Sequence, residues 1–140
     1  MRIITPEIES YFASLHSRYD EAIPVPFEAA SANDWMPTPA LCHDNVNDWA
    51  ERNPHLKVVR GWYAEMLFGG GCRYVSHSVI ERDGVLFDIT PTECSRPPFI
   101  RHVGTQEEFD GLKMAWTGVI YPFIDFLSNE PAVAPDEFSW

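Results

Sequence analysis

Hydrophobic residues near the start of the chain follow the spacing of an amphipathic helix. The apolar positions that recur every three or four residues are Ile8, Tyr11, Phe12 and Leu15. They would share one face of a helix. Thr5-Pro6-Glu7 offers a capping hydroxyl, a proline for the first turn and an acid near the positive end of the helix dipole. We therefore predict that the first helix begins there.

A second helical pattern follows a stretch that prolines interrupt. Residues 21–39 contain Pro24, Pro26, Pro37 and Pro39, so this stretch is predicted to be an extended loop. The next apolar stripe comprises Cys42, Val46, Trp49 and Ala50. With the start signal Thr38-Pro39 and the stop signal Asn53-Pro54, it predicts a helix over about residues 39–51. Cys42 would lie in its first turn or so.

Strand patterns dominate the middle of the chain. Residues 57–68 are rich in Val, Trp and Tyr, with apolar residues at both parities, which is typical of a strand covered on both faces. Residues 73–82 and 85–90 flank Asp83-Gly84, a strong hairpin signal. A two-residue turn would pair Ile80 with Phe87, Val79 with Asp88 and His77 with Thr90. The pattern predicts an antiparallel hairpin.

The last third of the chain is less regular. Residues 91–98 are predicted to be irregular, and Thr105 and Glu108 are spaced as a capping box that opens a short helix. Residues 116–127 fit either a strand broken at Pro122 or a buried helix that begins there. The last ten residues are expected to form a surface tail. We predict one α+β domain over residues 1–140.

Composition and charge exclude several classes of protein. A hydrophobic fraction of 45% argues against disorder, and the formal net charge of −11 would repel nucleic acid and anionic membranes. The chain start lacks the apolar stretch of a signal peptide, and no later run is long enough to cross a bilayer. We expect a cytoplasmic protein that binds neither nucleic acid nor membrane.

The three cysteines form neither a disulfide framework nor a zinc motif by spacing. Cys42, Cys72 and Cys94 are odd in number and contain no CxxC pair. Cys42 differs from the others because the start of a helix favours a thiolate over a thiol. A buried, inert cysteine is the competing interpretation, since Cys42 shares its stripe with Val46 and Trp49.

The predicted hairpin adds a histidine and a carboxylate to this cysteine. His77 and Asp88 would be diagonal neighbours on one sheet face, with Cβ atoms roughly 5–8 Å apart. An acid beside one imidazole nitrogen fixes the tautomer and leaves the other nitrogen free to accept a proton from a thiol. Cys42, His77 and Asp88 are therefore the candidate catalytic residues, although a structural His–Asp pair would show the same pattern.

Four short motifs surround these candidate residues. They are Thr38-Pro-Ala-Leu-Cys42-His-Asp-Asn45, Val59-Arg-Gly61-Trp62, Ser76-His77-Ser78-Val79 and Gly84-Val-Leu-Phe-Asp88-Ile-Thr-Pro91. Together they resemble the papain-like cysteine hydrolase superfamily, in particular its transglutaminase-like and NlpC/P60-like branches. The resemblance implies an antiparallel sheet with the nucleophile Cys42 at the N-terminus of a packed helix. It also implies His77 as base, Asp88 as its orienting residue, a protein or peptide-like substrate and no cofactor.

The oxyanion donor and two rival functions stay open. The papain-type glutamine is absent, so backbone N–H groups at the helix start, the Trp35 indole or the Asn45 amide would have to replace it. One rival is a non-catalytic papain-like module that binds a protein partner. The other is a zinc site, which the spacing disfavours; its candidate ligands are Cys42, His43, His77, Asp88, Cys94 and His102.

Overall fold

The computed structural model describes residues 5–67, 71–115 and 118–122, and these residues form an α+β fold. The helices and strands are, in chain order, α1 (Pro6–Ser17), α2 (Cys42–Arg52), β1 (Lys57–Met66), β2 (Gly71–Arg82), β3 (Val85–Phe87), β4 (Phe99–Arg101), α3 (Gln106–Ala115) and β5 (Gly118–Pro122), with a short 3-10 turn at Tyr19–Glu21. The predicted fold class is confirmed at this level. None of the described helices is both long and apolar enough to span a membrane.

The sheet is built around the long antiparallel pair of β1 and β2. Strand β4 lies on the free side of β1, while β3 and β5 both pair with the other side of β2. Strand β5 covers Gly71–Val75 of β2, and β3 covers Ile80–Arg82. In the described part of the chain, residues 76–79 have no strand partner on this edge. His77 therefore lies where the sheet edge is open.

Both faces of the sheet are covered. On one face Phe12 of α1 and Phe109 of α3 pack on Trp62 and Tyr74, and all four are fully buried. Val46 of α2 packs on the same face. On the other face Val25 of the proline-rich loop packs against side chains of β1 and β2. This loop, predicted from its prolines, is fixed to β4 by an antiparallel bridge between Ile23 and Phe99.

Local sequence signals predicted both caps and the hairpin turn. The Thr5 hydroxyl accepts the Ile8 backbone N–H at 3.2 Å. Thr105 and Glu108 exchange the two hydrogen bonds of a capping box, each 3.1 Å long. Asp83 and Gly84 have φ values of 51° and 82°, as the two central residues of a type I′ turn require. These predictions are confirmed.

Helix α2 begins three residues later than predicted. Ala40 has a φ of 68°, in the left-handed region that a right-handed helix cannot contain. Thr38 does not cap the helix with its hydroxyl; its carbonyl instead accepts the Leu41 N–H at 3.3 Å. Leu41 is the N-cap and Cys42 is the first helical residue. Cys42 therefore lies closer to the positive end of the helix dipole than the predicted helix start would place it.

The second strand of the hairpin is shorter than predicted. Pairing with β2 ends at Phe87, so the expected pairs of Val79 with Asp88 and of His77 with Thr90 do not form. Asp88 forms a parallel bridge with Phe27 of the proline-rich loop instead. The loop competes for the Asp88 backbone, which sequence spacing within the hairpin could not indicate.

The remaining predictions concern the strand ends and the C-terminal third. Strand β4 lies just after the stretch predicted to be irregular and was not predicted. Gly118–Pro122 forms a strand, which agrees with the strand alternative for residues 116–127 as far as Pro122. Of the residues these predictions cover, 68, 116–117 and 123–140, including the predicted tail, lie outside the described residues.

Candidate active site

His77 and Asp88 form a buried pair beside the open edge of β2. His77 Nε2 lies 2.7 Å from Asp88 Oδ2, and the two residues are 5% and 0% exposed. The two side chains are therefore neighbours as predicted, although the predicted strand pairing of residues 77–79 with residues 88–90 does not form. Because Nε2 is occupied by Asp88, Nδ1 is the nitrogen left for Cys42.

Asp88 is surrounded by hydrogen-bond donors. Its Oδ2 accepts the Tyr63 hydroxyl and Arg96 Nε, the latter at 3.3 Å, and its Oδ1 accepts the Thr90 backbone N–H at 3.0 Å. Burial alone would raise the pKa of Asp88, but hydrogen bonds from His77, Tyr63 and Thr90 outweigh it and hold the pKa below its usual value. Asp88 is therefore a carboxylate fixed in one orientation.

The proline-rich loop positions Asp88 through its backbone. The Asp88 N–H donates to the Pro26 carbonyl at 2.8 Å, and the Glu28 N–H donates to the Asp88 carbonyl at 2.9 Å. Arg96 links the same loop to the carboxylate, because its guanidinium lies 4.7 Å from the centre of the Phe27 ring. The loop predicted from its prolines thus holds the Asp88 backbone in place.

Tyr63 is a site residue that the sequence did not reveal. Its ring stacks on His77 with centroids 4.0 Å apart and an interplanar angle of 22°. Burial, followed by the charge of Asp88, raises the pKa of Tyr63 far above its usual value, so its hydroxyl remains a donor to the carboxylate. On a strand rich in aromatic residues, nothing in the sequence distinguishes Tyr63 from its neighbours.

Cys42 is half-buried and lies within hydrogen-bonding reach of His43 and His77. Burial raises the pKa of the Cys42 thiol, but the hydrogen bonds and positive charge of the two histidines outweigh it and lower the pKa to about 6. Burial lowers the pKa of His77, but Asp88 and Cys42 together raise it to about 9. Between these values the favoured state is a Cys42 thiolate beside a His77 imidazolium.

The two histidines reach Cys42 from opposite faces of β2. His77 lies on the face of the proline-rich loop, whereas His43 contacts the hydroxyls of Ser78 and Ser76 on the helix face at 2.6 and 3.4 Å. Neighbouring residues on a helix point about 100° apart. Cys42 and His43 can therefore straddle the unpaired edge of β2, one turned toward each face.

Asn45 holds the helix start in place. It is 3% exposed and was expected to be exposed if it had no site role; its Nδ2 donates to the Thr38 carbonyl at 2.9 Å and to Thr90 Oγ1 at 3.0 Å. Its Oδ1 accepts the Thr38 N–H at 2.9 Å. Both amide hydrogens are thus engaged, so Asn45 joins the turn before Cys42 to the residues after Asp88.

Trp35, the other candidate oxyanion donor, is placed away from Cys42. Its ring stacks on Trp49 with centroids 5.2 Å apart, and Trp49 lies seven residues after Cys42, or about 10 Å along the helix. The backbone N–H groups at the start of α2 are better placed, because the first helical hydrogen bond is made by the Asn45 N–H to the Leu41 carbonyl at 2.9 Å. Those of Cys42, His43 and Asp44 precede it and have no partner within the helix.

A cavity of about 590 Å³ opens beside His77. The turn before α2 and the segment after Asp88 form its walls, and Tyr63 lies beside His77 in its lining. The lining residues are Pro39, Ala40, Tyr63, His77, Thr90, Pro91, Thr92, Glu93 and Cys94. A small molecule or a peptide segment can therefore approach the His77 side of the site from solvent.

The zinc alternative required several of its six candidate ligands to converge. Among residues 5–67, 71–115 and 118–122, no group of three or more His, Cys, Asp and Glu side chains is arranged to hold a metal ion. His102 is bound elsewhere, since its Nδ1 lies 2.6 Å from the Tyr11 hydroxyl.

Comparison with protein-family models, curated proteins and solved structures finds no match.

Proposed function

We propose that the chain is a papain-like cysteine hydrolase or acyltransferase that acts on an amide or acyl group of a protein or peptide-like substrate. Cys42 is the nucleophile, His77 the general base and acid, and Asp88 the residue that orients His77. One observation carries the proposal. The thiol at the first position of α2 lies within reach of the His77 imidazole, and His77 Nε2 contacts the buried Asp88 carboxylate at 2.7 Å.

The proposed reaction has two steps. The Cys42 thiolate attacks the carbonyl carbon, and the resulting oxyanion is stabilised by backbone N–H groups at the start of α2. The C–N bond then breaks, and the leaving amine takes the proton from His77. Water, or an acceptor amine, next attacks the thioester while His77 takes its proton; the C–S bond breaks, which releases the acyl product and restores the Cys42 thiolate beside the His77 imidazolium.

Alkylation of Cys42 as a function of pH tests the nucleophile. Iodoacetamide labelling, followed by mass spectrometry of the Cys42 peptide, should show a rate that rises with a midpoint near pH 6, as the lowered pKa requires. Exposed Cys94 provides an internal reference. His77→Ala should move the midpoint toward that of an ordinary thiol, about 8.5. A wild-type midpoint already near that value would contradict the proposal.

Turnover of an activated ester tests catalysis. p-Nitrophenyl acetate should give a burst of one equivalent of nitrophenolate per protein and then slower release, because an acyl-enzyme forms faster than it hydrolyses. Cys42→Ala should abolish the burst, and Cys94→Ser is the matched control that should retain it. A reactive Cys42 without turnover of esters or peptides would favour the non-catalytic binding module instead.

A further inference from the structure

The catalytic groups of the proposed site balance one another in charge. The Cys42 thiolate faces the His77 imidazolium, and Asp88 contacts Arg96 at 3.3 Å. Each negative group thus has a positive partner. Any charge preference of the site must therefore come from other residues that line the cavity.

Glu93 is the charged residue that remains. Its exposed side chain lines the cavity next to Thr92 and Cys94. Within the part of the chain that the structure describes, Glu93 forms no ion pair. Arg96, three residues later, does not neutralise it, because Arg96 NH2 donates to the Thr90 carbonyl at 2.6 Å and Arg96 Nε to Asp88.

The surroundings reinforce this negative charge. Apart from His77 and Glu93, the cavity lining is neutral and includes two prolines, an alanine and a tyrosine. The whole chain carries a formal net charge of −11, which attracts cations and repels anions over several ångströms at low ionic strength. A substrate group in this cavity therefore meets a negative potential next to an apolar wall.

We propose that the cavity selects substrates that carry a cationic group near the reacting carbonyl, and that Glu93 is the specificity-determining residue. The inference rests on the proposed function, because it needs Cys42 to react with a molecule bound in the cavity. The substrate class is a basic peptide or another acyl compound with a nearby ammonium or guanidinium. An exposed glutamate in a cavity wall can pair with such a group without the cost of full burial.

Charged thiol reagents test this selection without knowledge of the substrate. The probes are 2-(trimethylammonium)ethyl methanethiosulfonate and its anionic 2-sulfonatoethyl analogue. The Cys42 thiolate attacks the divalent sulfur, a mixed disulfide forms and methanesulfinate leaves, so no added oxidant is needed. The Cys94→Ser protein is the background, because Cys94 lines the same cavity. Mass spectrometry of the Cys42 peptide gives a rate constant for each probe.

The ratio of the cationic to the anionic rate constant is the readout. Glu93→Gln should lower it about three- to tenfold at low salt, and Glu93→Lys should lower it further, since a unit charge a few ångströms away acts oppositely on the two probes. Added salt at about 0.5 M should shrink the difference. Glu107→Gln removes the same charge from an exposed residue of α3 that does not line the cavity, and it should change the ratio less than about twofold.

The two proposals fail in distinguishable ways. If Glu93→Gln changes the ratio no more than Glu107→Gln does, while neutral iodoacetamide still labels Cys42 with a midpoint near pH 6, the cationic selection is wrong and the nucleophile stands. If iodoacetamide shows an ordinary thiol at Cys42, the proposed function fails and the inference falls with it.

Discussion

The two histidines beside Cys42 lie on opposite faces of β2 and contact different groups there. His77 contacts a buried carboxylate and stacks on Tyr63 next to a cavity. His43 contacts the Ser78 hydroxyl at 2.6 Å, which also accepts Arg60 NH1 at 2.9 Å. His77 thus has a carboxylate on its second nitrogen, whereas the ring nitrogens of His43 contact hydroxyls. In the proposed mechanism this difference assigns the role of base to His77.

Removing the hydrogen-bond partner of each histidine should slow Cys42 alkylation by very different factors, and this is the largest difference that we expect. Asp88→Asn should slow Cys42 alkylation at pH 6.5 by about 10- to 100-fold, because the imidazolium that holds the thiolate loses its carboxylate. Ser78→Ala is the matched change on the other face and should cost less than about threefold. Iodoacetamide rates with both variants check this. Equal losses would make the two faces equivalent.

The two asparagines of α2 should differ in stability. Asn45 connects the helix start to Thr38 and Thr90, so Asn45→Ala should lower the unfolding free energy by about 2–3 kcal/mol through unpaired buried groups. Among the residues that the structure describes, the exposed Asn47 side chain accepts a hydrogen bond only from Arg60 NH2, at 2.6 Å, and Asn47→Ala should cost less than about 1 kcal/mol. Urea unfolding measures both; a larger loss at Asn47 would reverse the comparison.

The His43 contact should matter less than the His77 pair, but measurably. His43→Gln keeps a polar side chain near Ser78 and removes the imidazole that helps to lower the Cys42 pKa. The Cys42 midpoint should rise by about one pH unit, which is about tenfold in rate below the midpoint. In the His43→Gln protein, ester turnover should still depend on His77, so adding His77→Ala should still abolish it. Complete loss of that dependence would assign His43 the role of base.

The ion pair should leave stability nearly independent of pH over the range in which it exists. A raised His77 pKa contributes stability that is lost as pH rises through about 9, and a lowered Cys42 pKa contributes stability that is lost as pH falls through about 6. Between about pH 6.5 and 8.5, the ordinary pKa values of the two groups in the unfolded chain, one proton is bound in both the folded and the unfolded states, so the two slopes cancel.

Removing the thiol should uncover the His77 slope. In Cys42→Ala, Asp88 still favours the imidazolium, so the unfolding free energy should fall as pH rises from 6.5 to 8.5, by at most about 1.4 kcal/mol per pH unit. Wild type should show a flatter profile in urea unfolding at the same pH values. Parallel profiles would mean that no proton moves from Cys42 to His77 on folding.

The smallest expected effect is on the unfolding free energy and concerns the turn that precedes Cys42 and α2. Ala40 has a φ of 68°, so Ala40→Gly should stabilise the fold by about 0.5–1 kcal/mol. Ala50→Gly, inside α2, should destabilise it by about 1 kcal/mol. Opposite signs in thermal or urea unfolding would localise the strain to the turn before Cys42. The same sign in both would refute it.

Local patterns carried much of the fold. The cap at Thr5, the capping box at Thr105 and the turn at Asp83-Gly84 each depend on residues within a few positions of one another. Such signals are readable because the interacting groups are close in sequence. The predicted start of α2 at Pro39 is wrong because Ala40 has a left-handed backbone conformation. The Asn45 side chain holds this turn through its hydrogen bonds to Thr38.

The amino-acid sequence by itself determined the α+β class, the hairpin that brings His77 near Asp88 and the position of Cys42 close to a helix start. Only the tertiary structure decided that Asp88 leaves the hairpin for the proline-rich loop, that Tyr63 and Arg96 hold its carboxylate, and that His77 and His43 lie on opposite faces of β2. The reason is physical. Caps and turns are made by neighbours along the chain, whereas an ionised buried site is assembled from distant segments whose mutual desolvation and hydrogen bonding exist only after folding.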